Sequence, residues 1–174
     1  MKILSYLAHF LIRRSESRIG VKFDYIHRMA DTRLSLLARY NRLFGLVDPN
    51  RHCPPSAYHT ARLRGALAAD CGTCVEAEIN LASSAGLDMK LIRDVLHGNP
   101  LPAPLNAVTT LTDSVTKDRT DNPEAREKII AAYGDAGLIE LSLAMNAAAM
   151  MPGVKRAMGY ATACDLNTMR KLAP

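Results

Sequence analysis

The chain has 174 residues, a net charge of +5, 48% hydrophobic side chains, 5% aromatics and no tryptophan. One domain is the default at this length, and its core must be filled by Ala, Leu, Ile and Met, the usual packing of helices. The basic residues are spread along the chain and RRM, zinc-finger and P-loop signatures are missing, which argues against a nucleic-acid partner.

In chain order, MKILSYLAHFLIRRSESR comes first. Ile3, Leu4, Leu7, Phe10 and Leu11 form a helical stripe with Arg13 and Arg14 beside it. The apolar run is shorter than the ~20 residues of a bilayer span. No small-residue cleavage site follows it, so it belongs to the mature protein. Basic amphipathic helices can lie on membranes; the expectation here is a helix docked on the body or on a partner subunit. The next pattern, FDYIHRMADTRLSLLARYNRLFG, has Ile26, Met29, Ala30, Leu34, Leu37 and Phe44 at helical spacing, with Gly45 as a stop. LVDPNRHCPPS reads as a loop, because Pro49, Pro54 and Pro55 forbid a helix interior. Ser56 is a suitable cap for AYHTARLRGALAAD.

The cysteine segment follows and ends at Gly86. A short helix covers DMKLIRDVLHG, and NPLPAP breaks the chain. LNAVTTLTDSVTKD is a helix rich in β-branched residues. NPEAREKIIAAYG has Asn122 as cap, Pro123 in the first turn and early acids that suit the helix dipole. DAGLIELSLAMNAAAMM is apolar nearly all round and belongs in the core or an interface. PGVKRAMGYATACDLNTMRKL closes the sequence. Nothing alternates with period two between hairpin turns, so the fold is expected to be all-α. Residues 1–50 form an N-terminal helical extension and 51–174 the main helical domain.

The four cysteines do not make a disulfide scaffold. One close pair and two singles, Cys53 and Cys164, suit a cytoplasmic protein with one redox or metal motif. The pair lies in ALAADCGTCVEAEINLASSAG. Asp70 can cap a helix beginning at Cys71, which puts Cys71 and Cys74 near unpaired backbone N–H groups and the positive end of the dipole, a setting that favours thiolate. Cys71, Cys74 and Glu78 stand at i, i+3 and i+7 and share one face. Three other readings stand beside a redox pair. Structural zinc needs a second pair of ligands. A thioredoxin motif needs a strand before the helix, whereas ARLRGALAAD has a helical pattern. Buried, unreactive cysteines are the third.

The Cys-x-x-Cys at a helix start, the Ala/Leu-rich helix before it, INLASSAGLD after it and the later AYGDAGLIELSLAMNAAAMMPGVKRAMGY together resemble the carboxymuconolactone decarboxylase and alkylhydroperoxidase-like superfamily, over about residues 55 to 160. The resemblance implies an all-helical, oligomeric protein. In the peroxidase branch, two cysteines reduce peroxides or pass reducing equivalents to a peroxiredoxin. That branch has a Glu about a dozen residues before the motif and a His four residues after the second cysteine. Here those positions hold His59 and Glu78, so imidazole and carboxylate have exchanged places.

The expectation is a cytoplasmic thiol peroxidase or disulfide oxidoreductase acting on a peroxide or a disulfide, with a thiol reductant or a peroxiredoxin as partner. Cys74 attacks the peroxide, Cys71 resolves, and His59 with Glu78 moves the proton. No metal, flavin or nicotinamide motif is visible, so no cofactor is expected. The rivals are a carboxymuconolactone-decarboxylase-like enzyme and a non-catalytic thiol redox sensor or binding protein. Cys53 and Cys164 read as bystanders, with Cys53, in an exposed HCPP loop, the one open to oxidation. Met145, Met150, Met151 and Met158 read as core or interface, and the chain is expected to form at least a dimer.

Overall fold

The structure is a computed structural model and describes residues 2–47 and 51–161. Among the described residues there are eight α-helices and no strand: α1 (Lys2–Ile19), α2 (Asp24–Thr32), α3 (Leu34–Asn41), α4 (Pro55–Ala68), α5 (Gly72–Ser84), α6 (Met89–His97), α7 (Leu105–Asp113) and α8 (Pro123–Ala157). The all-α expectation holds. Pro49, Cys164 and the rest of the closing segment after Ala161 lie outside the described residues.

The boundaries follow local chemistry. Asn122 caps α8 by accepting from the Ala125 N–H at 3.0 Å, with Pro123 at the first helical position. Asp88 caps α6 through the Lys90 N–H at 3.0 Å, and Gly98 ends it in a left-handed conformation. α4 starts at Pro55 with no side-chain cap, so Ser56 lies inside the helix. The predicted helix over residues 23–45 is two helices: Arg33 takes an extended conformation (φ −167°, ψ 120°). This fold-back lets Tyr25 and Tyr40 meet at 2.8 Å between hydroxyls, both buried. Gly45 falls within a 3-10 turn, Arg42–Val47, instead of ending an α-helix.

α4 is the central element. It packs against α8, α7 and α5. Gly65 makes the α4–α8 crossing possible, because a Cβ there would stand 2.4 Å from the Met145 carbonyl oxygen. Two clusters flank α4. One gathers Tyr58, Val108, Leu111, Ile129, Leu141 and Met145; the other gathers Leu63, Val75, Ile79, Ile92 and Val95. Each such side chain contributes roughly 1.5–3 kcal/mol on burial.

α8 is long and apolar enough to span a bilayer by composition, yet it packs along α4 and α7. It bends at Gly134, which has a non-helical φ of 68° and ψ of 178°. It then runs on through Pro152 to Ala157. Its far end, with Met151, Val154, Met158 and Tyr160, meets a third cluster built by α1–α3 around Ile12, Tyr25, Ile26 and Tyr40. The stripe on α1 does not dock on this body. Ile3 is 85% exposed and Phe10 55%, and the buried face of α1 is carried by Ile12 and Glu16. Part of the apolar excess on α8 also stays outside: Leu141 and Met145 are buried, whereas Ile139, Leu143 and Met150 are exposed.

Candidate functional site

α4 and α5 are joined by a tight reversal. Ala69 N–H bonds the Gly65 carbonyl at 3.2 Å and Asp70 N–H the Leu67 carbonyl at 3.0 Å. Asp70 takes a left-handed φ of 49°, which aspartate tolerates better than most residues. Asp70 is therefore part of the turn and does not cap α5. Cys71 occupies the N-cap position itself, without a side-chain capping bond. The Arg156 guanidinium, reaching over from the end of α8, clamps the turn by donating to the carbonyls of Ala69 at 2.8 Å and Asp70 at 2.5 Å.

Cys71 and Cys74 are joined in a disulfide, with their Cα atoms 5.2 Å apart. The two residues differ in access: Cys71 is fully buried and Cys74 is partly exposed. Both lie at the N-terminal end of α5, where unpaired amides and the dipole favour negative charge.

Glu78, one turn beyond Cys74, is buried. Its carboxylate is held by Arg62 of α4 through two bonds, Nε to Oε2 at 2.7 Å and Nη2 to Oε1 at 2.5 Å. Burial pulls the guanidinium down, but Glu78 and Tyr58 outweigh it and hold Arg62 above its usual range. His59 lies one turn before Arg62 and makes no hydrogen bond to Glu78 among the described residues. Its Nδ1 is buried and unpartnered, and its ring meets Tyr58 edge-on at 5.2 Å. Burial holds His59 below its ordinary 6.5; Glu78 opposes this and Arg62 reinforces it. Burial and Arg62 thus disfavour the protonated ring, and the Glu78 carboxylate is bonded to Arg62.

A second set of groups meets the pair from the other side. The Thr73 hydroxyl lies 3.9 Å from Cys71 Sγ and is bonded to Lys155 Nζ. Lys155 is buried, with its amine 5.7 Å from the Tyr25 ring centroid.

Arg62, Thr73, Lys155 and Arg156 were not foreseen from the sequence. Arg62 could have been: in a short hairpin turning at residues 69–71, position 62 of one helix faces position 78 of the other. Lys155 stands 82 positions from Thr73 and gives no such signal.

Cys53 corrects an expectation. It is 8% exposed rather than open, and its Sγ donates to Glu140 Oε2 at 3.4 Å. Burial, with the adjacent carboxylate, pushes its thiol up to about 12. His52 and His97 are exposed. Among the described residues no group of His, Cys, Asp and Glu could hold a metal. A groove of about 650 Å³ between α7 and α8 is lined by Ala103, Pro104, Thr110, Glu124, Lys128 and others, and contains no nucleophilic thiol. No protein family, curated protein or solved structure matches the chain.

Proposed function

We propose that the protein is a thiol–disulfide oxidoreductase of the alkylhydroperoxidase-like type that reduces peroxides with Cys71 and Cys74. The observation that carries this reading is the bonded pair at the mouth of α5, with Cys71 buried and Cys74 partly exposed. In the reduced protein, the Cys74 thiolate attacks the outer oxygen of a peroxide. The O–O bond breaks, an alcohol or water leaves after taking up a proton, and Cys74 becomes a sulfenic acid. The Cys71 thiolate attacks that sulfur, expels hydroxide and forms the disulfide. Two equivalents of an external thiol, or one dithiol, restore the reduced pair. Such a disulfide is transient, which is compatible with a cytoplasmic setting.

The test is peroxide consumption with several thiol reductants, comparing wild type with Cys71→Ser and Cys74→Ser. Turnover that needs both thiols is expected. Equal activity in either serine variant would overturn the reading.

A second reading, a thiol sensor without turnover, is favoured by one observation: Glu78 is neutralised by Arg62 and is not paired with a histidine. Peroxide would then oxidise the pair once per chain, and no reductant would sustain consumption.

The outward apolar stripe of α1 and the exposed Ile139, Leu143 and Met150 on α8 support assembly into at least a dimer. Light scattering at micromolar concentration is expected to give at least twice the 19.0 kDa of one chain; a monomer there would refute it.

A further inference from the structure

The buried lysine beside the disulfide has an unusual set of partners. Lys155 Nζ has no carboxylate at ion-pair distance among the described residues; its hydrogen-bond partner is the neutral Thr73 hydroxyl. It lines a recess of about 150 Å³ together with Lys22, Asp24, Tyr25, Thr73 and Tyr160. Asp24 from α2 and Glu76 from α5 act on it at longer range and oppose the burial that holds its amine below the usual value. An ammonium can only donate, so Thr73 Oγ1 is the acceptor in that bond. A hydroxyl has one hydrogen. With Thr73 Oγ1 accepting from lysine, its own hydrogen is free to donate, and Cys71 Sγ lies 3.9 Å away. A sulfur in a disulfide carries no proton, so the direction runs from lysine to threonine to sulfur.

Taking the Cys71–Cys74 pair as the redox site proposed above, we propose that Lys155 and Thr73 are positioning residues that make Cys71 the leaving-group sulfur when the disulfide is opened. The step is thiol–disulfide exchange. An external thiolate attacks Cys74 Sγ, the sulfur of the less buried residue, and forms a mixed disulfide with it. The Sγ–Sγ bond breaks and its electron pair goes to Cys71 Sγ. A second external thiolate then attacks the sulfur of the first, releases its own disulfide and leaves Cys74 as thiolate. Two electrons enter the protein and one external disulfide leaves. The better stabilised the expelled thiolate, the faster the first step. Cys71 is fully buried, so its thiolate would be expensive without a donor. The Thr73 hydroxyl, polarised by the ammonium behind it, supplies one as charge develops. The Arg156 clamp on the turn keeps Cys71 in register with Thr73.

The experiment uses the full chain and two readouts that do not require peroxide. One is the rate of disulfide reduction by dithiothreitol across pH. The other is the pH profile of Cys71 thiolate formation in a Cys74→Ser background, followed by ultraviolet absorbance. Thr73→Val keeps the shape and removes the hydroxyl; Lys155→Met removes the ammonium; Thr73→Ser is the rescue; and Lys90→Met, an exposed lysine paired with Asp94, is the control. Reduction at neutral pH is expected to slow about tenfold or more in Thr73→Val and in Lys155→Met, with no further loss when they are combined, because residues acting as a unit are not additive. The Cys71 profile is expected to move to higher pH in both, and Thr73→Ser is expected to restore it. Thr73→Val within twofold of wild type in rate, with an unmoved profile, overturns the proposal whether or not Lys155→Met folds. A threonine-dependent reduction supports it even if peroxide is never consumed, so the two readings fail separately.

Discussion

Cys53 and the Cys71–Cys74 pair are the same residue type in opposite electrostatic surroundings. Cys53 sits just before α4 and faces the Glu140 carboxylate, which already accepts backbone N–H groups from Arg51 at 2.7 Å, His52 at 2.8 Å and Cys53 at 3.1 Å. Burial, and then this carboxylate, which accepts the thiol's hydrogen bond and repels a second negative charge, keep the proton on Cys53. The pair sits at the positive end of α5, with Arg156 on its turn and Lys155 behind Thr73. The carboxylate one turn beyond Cys74, Glu78, is cancelled by Arg62. Both Cys53 and Cys71 are buried, so exposure does not separate them. What the sulfur faces does: a thiol is activated where its ionised form is the one the surroundings favour.

The most direct way to break the contrast is to free Glu78. Arg62→Met leaves a buried carboxylate without its partner, and it makes the surroundings of Cys74 resemble those of Cys53. Removing one member of a buried pair costs about 3–5 kcal/mol. Urea unfolding at neutral pH is expected to show a loss of that order, and alkylation of Cys74 in the reduced protein is expected to slow. The double variant Arg62→Met, Glu78→Leu should recover most of the stability, because it leaves no orphaned charge. A double variant as unstable as Arg62→Met alone would mean that the pair is held for packing rather than for charge.

Alkylation selectivity measures the contrast itself. At pH 8, a thiol near 12 is thiolate in about one molecule in ten thousand, against about a quarter for an ordinary cysteine. After gentle reduction, mass spectrometry of iodoacetamide-treated protein is expected to find Cys74 labelled far faster than Cys53. Comparable labelling of Cys53 in the folded protein would contradict its assignment as shielded.

The fold was largely legible because helix signals are local. Asn122 with Pro123, Asp88 with Gly98 and the all-helical periodicity each depend on neighbours within a turn or two. What could not be read was partnership across the fold. His59 and Glu78 were matched by position relative to the cysteines, but Arg62, three residues after His59, has the reach and the charge to take the carboxylate first. Cys53 looked open because HCPP has loop composition, whereas it joins the apolar cluster that α4 and α8 build and meets Glu140 of α8. The α1 stripe shows the converse. A helical stripe says that a face is apolar, not which surface covers it, and here the described chain leaves it uncovered. Lys155, in the closing segment, carries no local signal of its contact with Thr73, 82 positions away.

Glu140→Gln should sharpen the contrast from the other side. The amide keeps one acceptor oxygen but loses the charge that strengthens the Arg51, His52 and Cys53 bonds, at a cost of about 1–3 kcal/mol. Burial alone would raise the Glu140 carboxyl; the N–H donors and Cys53 outweigh it and hold it below its ordinary 4.5. A carboxyl with a lowered folded value contributes stability above its unfolded value, and that contribution is lost as pH falls through the folded value. Wild type is therefore expected to lose stability below about pH 4.5 more steeply than Glu140→Gln. The same variant removes the repulsion at Cys53, so Cys53 should become alkylatable at a lower pH than in wild type.

The smallest effect belongs to His59, and it separates a ring that acts on the thiol from one that is merely enclosed. Burial and Arg62 hold its folded value below the ordinary 6.5. The folded ring stays neutral while the unfolded chain takes up a proton, so stability is complete above 6.5 and declines as pH falls below it toward the folded value. That decline is expected to be shallow, read from urea unfolding between pH 7 and 5.5. In His59→Gln it should vanish. Removing Arg62 takes away one of the two forces depressing the ring and leaves Glu78 to raise it, so in Arg62→Met the acid decline due to His59 should weaken or reverse. Labelling of Cys74 at neutral pH in His59→Gln decides the ring's role: a rate within twofold of wild type is expected, because a neutral imidazole with its carboxylate taken by arginine has no charge to lend the sulfur. Slowing beyond about fivefold would return His59 to the relay and would mean that the ring is protonated whenever the thiol reacts.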